Sequence, residues 1–271
     1  MHELITEESF DLEKTYEYIL SIQVSLNGFS FSIVDPHNKL LVFKDTLLTI
    51  SSSNLVTRRF SEWNQSEEIL QKPFLKTRVI VFSEKYTLVP EQLYLNESKN
   101  NITHILFERS KKTDFAENRI DNLNSRLLFA LPDGLNNFIH NSIGECKIVH
   151  PVKQLIKNLP DTGDKNGVII FYNENIIYLI LFRNDGVMMS NSFKINHSND
   201  VVYFVLATLK KMKIALNTTE LFYAGKSSHA EKSGSNLQKY FGAITRLSPS
   251  GLTFSKNITE EVISENILLF Y

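Results

Sequence analysis

The sequence of 271 residues has one cysteine, Cys146, so no disulfide can form within the chain. This fits a reducing compartment. Nowhere does the sequence approach the run of ~18 apolar residues that a membrane-spanning helix needs. The opening segment, residues 1–18, has no basic region followed by an apolar stretch and is no secretory signal. We therefore expect a cytoplasmic protein that does not insert into a membrane.

The chain also lacks an excess of either charge. It carries 29 Lys and Arg against 30 Asp and Glu, a formal net charge of -1. Because the positive and negative charges are nearly equal in number, the net charge provides no attraction to nucleic acid or to an anionic membrane. Neither the seven histidines nor Cys146 has the spacing of a zinc site, and no GxSxG-type nucleophile setting occurs. We expect no nucleic-acid partner, no metal and no catalytic residue of a recognised class.

The strongest pattern that is present lies in residues 167–195, where three apolar runs are separated by two polar turns. The runs are Val168 to Phe171, Ile176 to Phe182 and Val187 to Phe193. The second turn contains Asp-Gly, a strong hairpin signal because glycine tolerates positive φ. Unbroken apolarity in the middle run predicts a strand covered on both faces. An amphipathic helix is then predicted from Asp200 to Leu216.

The same order of elements is predicted earlier in the chain. Tyr16 to Ser25, Phe29 to Val34 and Leu40 to Phe43 form the strands, with Asn27-Gly28 as the first turn. Ser51 to Asn54 then offer N-caps for a helix that continues to about Leu70. The chain therefore contains two units of three strands and a helix.

Each unit is followed by a further predicted strand and helix. In the first half these are Arg78 to Phe82 and a short helix from Pro90 to about Leu95, and in the second half Glu220 to Tyr223 and Ser235 to Phe241. Residues 1–14 are polar and predict a loose arm. The charged residues 109–114 predict an exposed linker.

The clearest break in the pattern is Pro160-Asp161-Thr162-Gly163-Asp164. A run of turn-forming residues between two segments that each contain several predicted strands and helices is typical of a domain boundary. We therefore predict a first subdomain over residues 1–163 and a second over residues 164–271.

This duplicated plan resembles the actin-like, or ribonuclease H-like, fold of actin, sugar kinases and heat-shock ATPases. The segment LSIQVSLNGFSFSIVDPHNKLLVF also resembles the start of a Bacteroidetes family of unknown function whose members are described as actin-like. The resemblance implies an α/β protein of two duplicated subdomains. Each would hold a mixed sheet with a three-stranded antiparallel meander plus helices, and a cleft would lie between the two subdomains.

In actin-like ATPases, two meander turns supply Asp and Gly around the phosphates, and a Gly-rich loop packs on adenosine. The matching positions here offer Asn27, Gly28 and Ser30 in the first turn and Gly225, Lys226 and Ser227 in the late loop. The first turn has no Asp, and the second, residues 172–175, has neither Gly nor Asp. Glu174 could replace an Mg²⁺ ligand, but a solvated hairpin tip is the simpler interpretation.

Three functions remain open at this point. The first is a catalytically degenerate, non-enzymatic scaffold that binds an unidentified protein partner, as the cytoplasmic adaptors of type IV pilus and secretion machines do. The second is an ATP-binding phosphotransferase or ATPase whose acidic residues come from unrecognised positions. The third is a sensor that holds a small ligand in the cleft between the subdomains. The scaffold hypothesis expects no cofactor, and the enzyme hypothesis expects ATP.

Overall fold

The computed structural model describes residues 2–94, 102, 114–184, 186–254 and 257–271. The predicted linker at residues 109–114 falls outside these ranges except for Asp114, which begins a strand. The described strands are β1 (His2–Thr6), β2 (Ile19–Ser25), β3 (Gly28–Val34), β4 (Leu40–Leu47), β5 (Lys76–Val81), β6 (Tyr86–Pro90), β7 (Asp114–Ile120), β8 (Ser125–Leu131), β9 (Lys147–Val149), β10 (Asn166–Asn173), β11 (Ile176–Arg183), β12 (Gly186–Lys194), β13 (Thr219–Lys226) and β14 (Ile244–Arg246). The described α-helices are α1 (Val56–Ser66), α2 (Leu135–Ser142), α3 (Pro151–Lys157), α4 (Ser198–Lys211), α5 (Ala230–Leu237) and α6 (Glu260–Glu265).

Two sheets share one topology. The first has the order β1-β4-β3-β2-β5-β9 and the second the order β12-β11-β10-β13-β14. In each, three strands form an antiparallel meander, and two later strands add in parallel beside its first strand. Helix α1 precedes β5 as α4 precedes β13. This repeat confirms the predicted α/β class of two actin-like halves, each with a meander in a mixed sheet.

The first half contains an insertion that the second half lacks. Between β5 and β9, the chain forms a three-stranded antiparallel sheet of order β6-β8-β7 and then α2. The hairpin at Ser83 to Lys85 connects β5 to this sheet and also contacts the second half. Ser192 Oγ donates to the Glu84 carbonyl at 2.7 Å, and the Tyr86 hydroxyl lies 2.8 Å from Ser190 Oγ. The inserted sheet is therefore fixed against the edge strand β12.

The apolar core is divided by the second sheet. One face of β11 places Tyr178, Ile180 and Phe182 in a core shared with the first half. Its other face places Ile177, Leu179 and Leu181 in a smaller core against α4 and α5. The six side chains are all 0% exposed, which confirms the prediction that the middle strand is covered on both faces.

A segment from late in the chain completes the core of the first half. Helix α6 is followed by a 3-10 turn, Ile267–Leu269, whose three side chains are 0% exposed and join the shared core. Ser32 Oγ on β3 donates to the Leu269 carbonyl at 3.0 Å. The apolar residues near 271 are thus buried against the first sheet. The subdomain boundary between residues 163 and 164 stays a prediction.

Four local predictions were wrong. Within the predicted loose arm, His2–Thr6 forms β1, which pairs with β4 although its sequence is mostly polar. Helix α1 ends at Ser66, and a separate 3-10 helix follows before residue 70. Pro90 closes β6, and only a 3-10 turn follows it. The late helix lies at Ala230–Leu237, several residues before its predicted start at Ser235.

A buried histidine connects the inserted sheet to the second half. His150 is 0% exposed and packs between the rings of Tyr86, Phe129 and Tyr178. Its Nδ1 accepts from the Val152 amide, so the proton is on Nε2, which donates to the Ser83 carbonyl at 2.9 Å. Burial lowers the pKa of His150 to about 3, although the Ser83 carbonyl opposes the change.

This burial predicts acid sensitivity. An unfolded histidine has a pKa of about 6.5, so protons bind the unfolded chain first, and stability falls as the pH drops from about 6.5 towards 3. We expect His150 to account for a loss of about 1–2 kcal/mol of unfolding free energy between pH 7 and pH 5. Urea titrations at pH 7 and at pH 5 measure this change in unfolding free energy. His150→Gln should flatten the dependence, whereas His37→Gln, at an exposed turn, should not. Equal slopes in all three proteins would contradict the assignment.

Candidate functional site

Two hairpin tips meet between the sheets. The turn between β2 and β3 carries Asn27, and the turn between β10 and β11 carries Asn173 and Glu174. Asn27 Nδ2 donates to Asn173 Oδ1 at 3.1 Å across the cleft. The Asn27 amide itself donates to Ser25 Oγ at 3.0 Å. The first turn is therefore tied both to its own strand and to the opposite half.

Gly28 and Ser30 line this space from β3. Gly28 has φ of 136°, and an added Cβ would lie 2.1 Å from the Thr46 carbonyl oxygen. A glycine is required there because the backbones of β3 and β4 approach so closely. Ser30 is buried and pairs in register with Asp45 of β4. Strand β4 thus brings a carboxylate to the cleft.

Lys226 enters the same space from the end of β13. Its Nζ lies 4.0 Å from Asp45 Oδ2 and 3.5 Å from Glu265 Oε2. Asp45 is 16% exposed and Glu265 is 25% exposed. The Glu174 amide donates to the Lys226 carbonyl at 2.7 Å. Lys226 therefore joins residues from three separate elements: β4, α6 and the tip of the second meander.

Partial burial shifts the acids in this cluster. Burial raises the pKa of Glu174, and the nearby positive charges of Lys226 and His229 oppose that change. The pKa of Glu265 is also raised, chiefly by burial, while Lys226 again acts in the opposite direction. Glu174 is half-buried, so the interpretation of this residue as a solvated hairpin tip was wrong. The cleft contains carboxylates that its turn sequences did not suggest.

The space enclosed by these groups is small. Its volume is about 40 Å³, whereas pockets for drug-sized ligands occupy roughly 300–1,000 Å³. Gln23 Oε1 is buried beside it without a hydrogen-bond partner among the described residues. In the described part of the chain, no three His, Cys, Asp or Glu side chains are arranged to hold a metal ion. The cleft is thus occupied by the protein's own polar groups.

The other two predicted residues, Gly225 and Ser227, line a neighbouring cavity of about 590 Å³. Its walls come from β13, α5 and α6 and are largely polar. The Tyr172 hydroxyl lies 2.7 Å from Ser233 Oγ, and Arg246 Nε donates to the Tyr223 hydroxyl at 3.1 Å. The structure therefore groups Asn27, Gly28, Ser30 and Lys226 in one space and separates Gly225 and Ser227 from them.

Sequence reasoning missed Asp45 and Glu265. Asp45 lies in a strand, and Glu265 lies in a late helix that crosses back to the first half. Neither position matches a phosphate-binding turn. The sequence gives one hint of Asp45: the apolar run Leu40 to Phe43 ends just before it, where strand β4 leaves the core.

A third cavity, of about 260 Å³, lies where the inserted sheet meets both halves. We call it the insertion pocket. Its apolar lining includes Leu26, Phe82, Leu131, Pro132 and Ile176. Charged residues line it as well: Glu84, Lys85, Asp133 and Lys194. Lys194 Nζ lies 3.2 Å from Glu84 Oε1. The pocket thus combines an apolar floor with both signs of charge.

A family model described as "Protein of unknown function (DUF3822)" matches residues 7–244, well over half of the chain. The chain belongs to this family. The DUF3822 match includes both meanders and the whole inserted sheet. No curated protein matches the sequence significantly. Among the described residues, no helix of this DUF3822 protein has the length and apolarity to cross a membrane.

Solved structures show the fold. A Bacteroides thetaiotaomicron protein with an actin-like ATPase fold and unknown function is 20% identical, with a TM-score of 0.78. The alignment covers 88% of this chain and 93% of that one. The PilM-PilN type IV pilus biogenesis complex contains a chain that is 12% identical with a TM-score of 0.58, covering 94% of this chain and 97% of that one. The DUF3822 protein therefore has the actin-like fold.

Gly225 provides a test of what the late loop contributes. Its φ is 85°, and an added Cβ would lie 2.0 Å from the Tyr172 carbonyl oxygen on β10. We expect Gly225→Ala to lower the unfolding free energy, measured by urea denaturation, by about 1–3 kcal/mol.

The matched control is Gly234→Ala in α5, where an added Cβ meets nothing within 4 Å and φ is helical. That substitution should raise stability by up to about 1 kcal/mol. A neutral Gly225→Ala would show that β10 and β13 do not pack at this distance in solution.

Proposed function

We propose that this DUF3822 protein is a catalytically degenerate pseudo-ATPase that acts in the cytoplasm as a non-enzymatic interaction or scaffold protein. The observation that carries the proposal is the closed cleft. Asn27 and Asn173 join the two halves by a side-chain hydrogen bond, and Lys226 lies between Asp45 and Glu265. Only about 40 Å³ remains open between them.

The hydrogen-bonding capacity of the tips supports the same conclusion. Phosphate-binding turns present unpaired backbone N–H groups to the ligand. Here the Asn27 amide donates to Ser25 Oγ, and the Glu174 amide donates to the Lys226 carbonyl. A phosphate would have to displace these bonds and also compete with two carboxylates for Lys226. Each displacement costs about 0.5–1.5 kcal/mol or more.

A second candidate function is nucleotide binding, with ATP as the ligand. It is favoured by the cavity of about 590 Å³ beside Gly225 and Ser227, which is large enough for a nucleoside. Asp45 and Glu265 also favour this second function, because they are acidic residues at positions outside the recognised turns. A small-ligand sensor that uses the cleft is less favoured, because the present cleft volume is close to that of one or two waters.

The insertion pocket is the surface we propose for a protein partner. The partner we propose is a peptide segment with an apolar side chain for the floor and polar neighbours for Lys85 and Asp133. Leu26 is 37% exposed at this pocket, unlike the fully buried apolar residues of the strands beside it. PilM, which shares the fold, was solved in complex with PilN, and by analogy we propose a protein ligand here.

The degenerate cleft is tested by thermal shift with ATP and ADP, each with and without Mg²⁺. A ligand specific for the folded state at ~100 times its dissociation constant adds about 2.7 kcal/mol of stability. We expect no shift in melting temperature with any nucleotide.

An Mg²⁺-dependent shift would overturn the degenerate assignment, and Asp45→Asn would then identify the carboxylate that binds the metal. The matched control is Glu220→Gln, which removes a surface partner of Lys165 and should change nothing. A shift that Asp45→Asn abolishes and Glu220→Gln retains would establish the second candidate function.

The partner surface is tested by photo-crosslinking in cells of the source organism. A benzophenone amino acid at Leu26 should give one discrete protein adduct, and the same residue at Leu93, 67% exposed, should not. Adding Lys85→Glu, which reverses an exposed charge at the pocket, should reduce the adduct. An adduct of equal yield at both positions, or one insensitive to Lys85→Glu, would contradict docking in the insertion pocket.

A further inference from the structure

A row of cations lies far from the cleft, at the amino-terminal ends of the neighbouring strands β5 and β9. Ser21 of β2 pairs in register with Arg78 of β5, and Arg78 pairs with Lys147 of β9. Lys76 lies two residues before Arg78 and therefore shares its face. Like charges directly opposite each other on adjacent strands are destabilising. The arrangement calls for a compensating anion.

These residues line a groove of about 750 Å³, within the range of small-molecule sites. We call it the basal groove. Its apolar wall includes Phe74, Leu75, Leu252 and Phe270. Its charged lining consists of Lys76, Arg78, Lys147, Lys157 and one acid, Glu145. The groove is therefore lined both by apolar side chains and by an excess of positive charge.

Arg78 has donors left for a ligand. Its Nε donates to Ser21 Oγ at 2.8 Å, one terminal nitrogen donates to the Leu269 carbonyl at 3.0 Å, and the other donates to the Tyr271 main-chain oxygen. A guanidinium has five N–H groups, so two remain. Burial lowers the pKa of Arg78 to about 10, and the group is still charged at pH 7.

The surrounding charges are not neutralised by neighbours. Among the described residues, no Asp or Glu oxygen lies within ion-pair distance of Lys76, Arg78, Lys147 or Lys157. Burial is the main cause of a lowered pKa at Lys153 on α3; Asp121 opposes it, and repulsion from Lys147 and from Lys157 each adds a smaller lowering effect. A positive potential therefore extends from the groove to the adjacent helix.

We propose that the basal groove binds an amphiphilic organic anion, in which a carboxylate or sulfonate contacts Lys76, Arg78 and Lys147 while an apolar body packs on Phe74 and Leu75. The site is independent of the cleft and of the insertion pocket. An anion there would relieve the repulsion across β5 and β9, and its apolar part would cover the wall. The cations alone would accept any anion, and the apolar side chains alone would accept any apolar group. Only the two together would select a ligand that has both parts.

The test uses the fluorescent sulfonate 1-anilinonaphthalene-8-sulfonate with the full chain. We expect saturable binding at low ionic strength that is about 5- to 30-fold weaker in the double variant Lys76→Gln, Lys147→Gln, since two ion pairs to the ligand are lost. Octanoate should displace the dye, and 1-octanol at the same concentration should not. Both lysines are exposed, so the melting temperature should not fall.

The matched control is Lys210→Gln, Lys211→Gln at the end of α4, which removes two charges from another surface and should leave the affinity unchanged. Equal affinity in the wild type and the Lys76, Lys147 variant would overturn the proposal. Equal displacement by octanol and octanoate would also overturn it, because the groove would then recognise apolar surface alone.

Discussion

The burial of strand β11 on both faces is the constraint on which the rest of this structure depends. Tyr178, Ile180 and Phe182 project into the core shared with the first half, and the alternate residues project towards α4 and α5. Burying six large side chains contributes roughly 9–18 kcal/mol at about 1.5–3 kcal/mol each. That range is comparable to the whole net stability of a typical domain. The halves are thus joined by a hydrophobic core, and the polar cleft only closes its edge.

This core sets the distance between the two hairpin tips. Because β10 and β11 are fixed against the first half by apolar packing, Asn173 and Glu174 lie where they can bond Asn27 and the Lys226 backbone. Hydrogen bonds and ion pairs fill the space between the tips, and the resulting cleft is small and holds one lysine, Lys226, against the three carboxylates of Asp45, Glu174 and Glu265.

The fold could be predicted from the sequence where the pattern was local. The apolar run Ile176 to Phe182 and the Asn27-Gly28 turn specify a meander through side-chain periodicity and backbone conformation alone. Strand β1 could not be predicted this way, since its ladder with β4 comes from pairing at an edge and its own residues are largely polar. Pro90 favours a helix start by its fixed φ, yet pairing with Ser125 holds it in β6.

The site was less predictable for a physical reason. Sequence reasoning singled out Asn27, Gly28, Ser30 and Lys226 because they lie at or near strand ends that the apolar pattern predicts. It could not find that Asp45 and Glu265 converge on Lys226, because Asp45 lies 181 residues before Lys226, Glu265 lies 39 residues after it, and only tertiary packing brings the three together. Glu174 was misjudged for the same reason: a hairpin tip is solvated only if nothing packs against it.

The return of residues 267–269 to the first sheet has a consequence for biosynthesis. Ser32 and Leu269, which share a hydrogen bond, are 237 residues apart. At about 5–20 residues per second, a ribosome needs roughly 10–50 s to synthesise that interval. During this time the part of the first sheet around Ser32 lacks the cover that Ile267–Leu269 later provide. The core of the first half is therefore completed only after the second half has been synthesised.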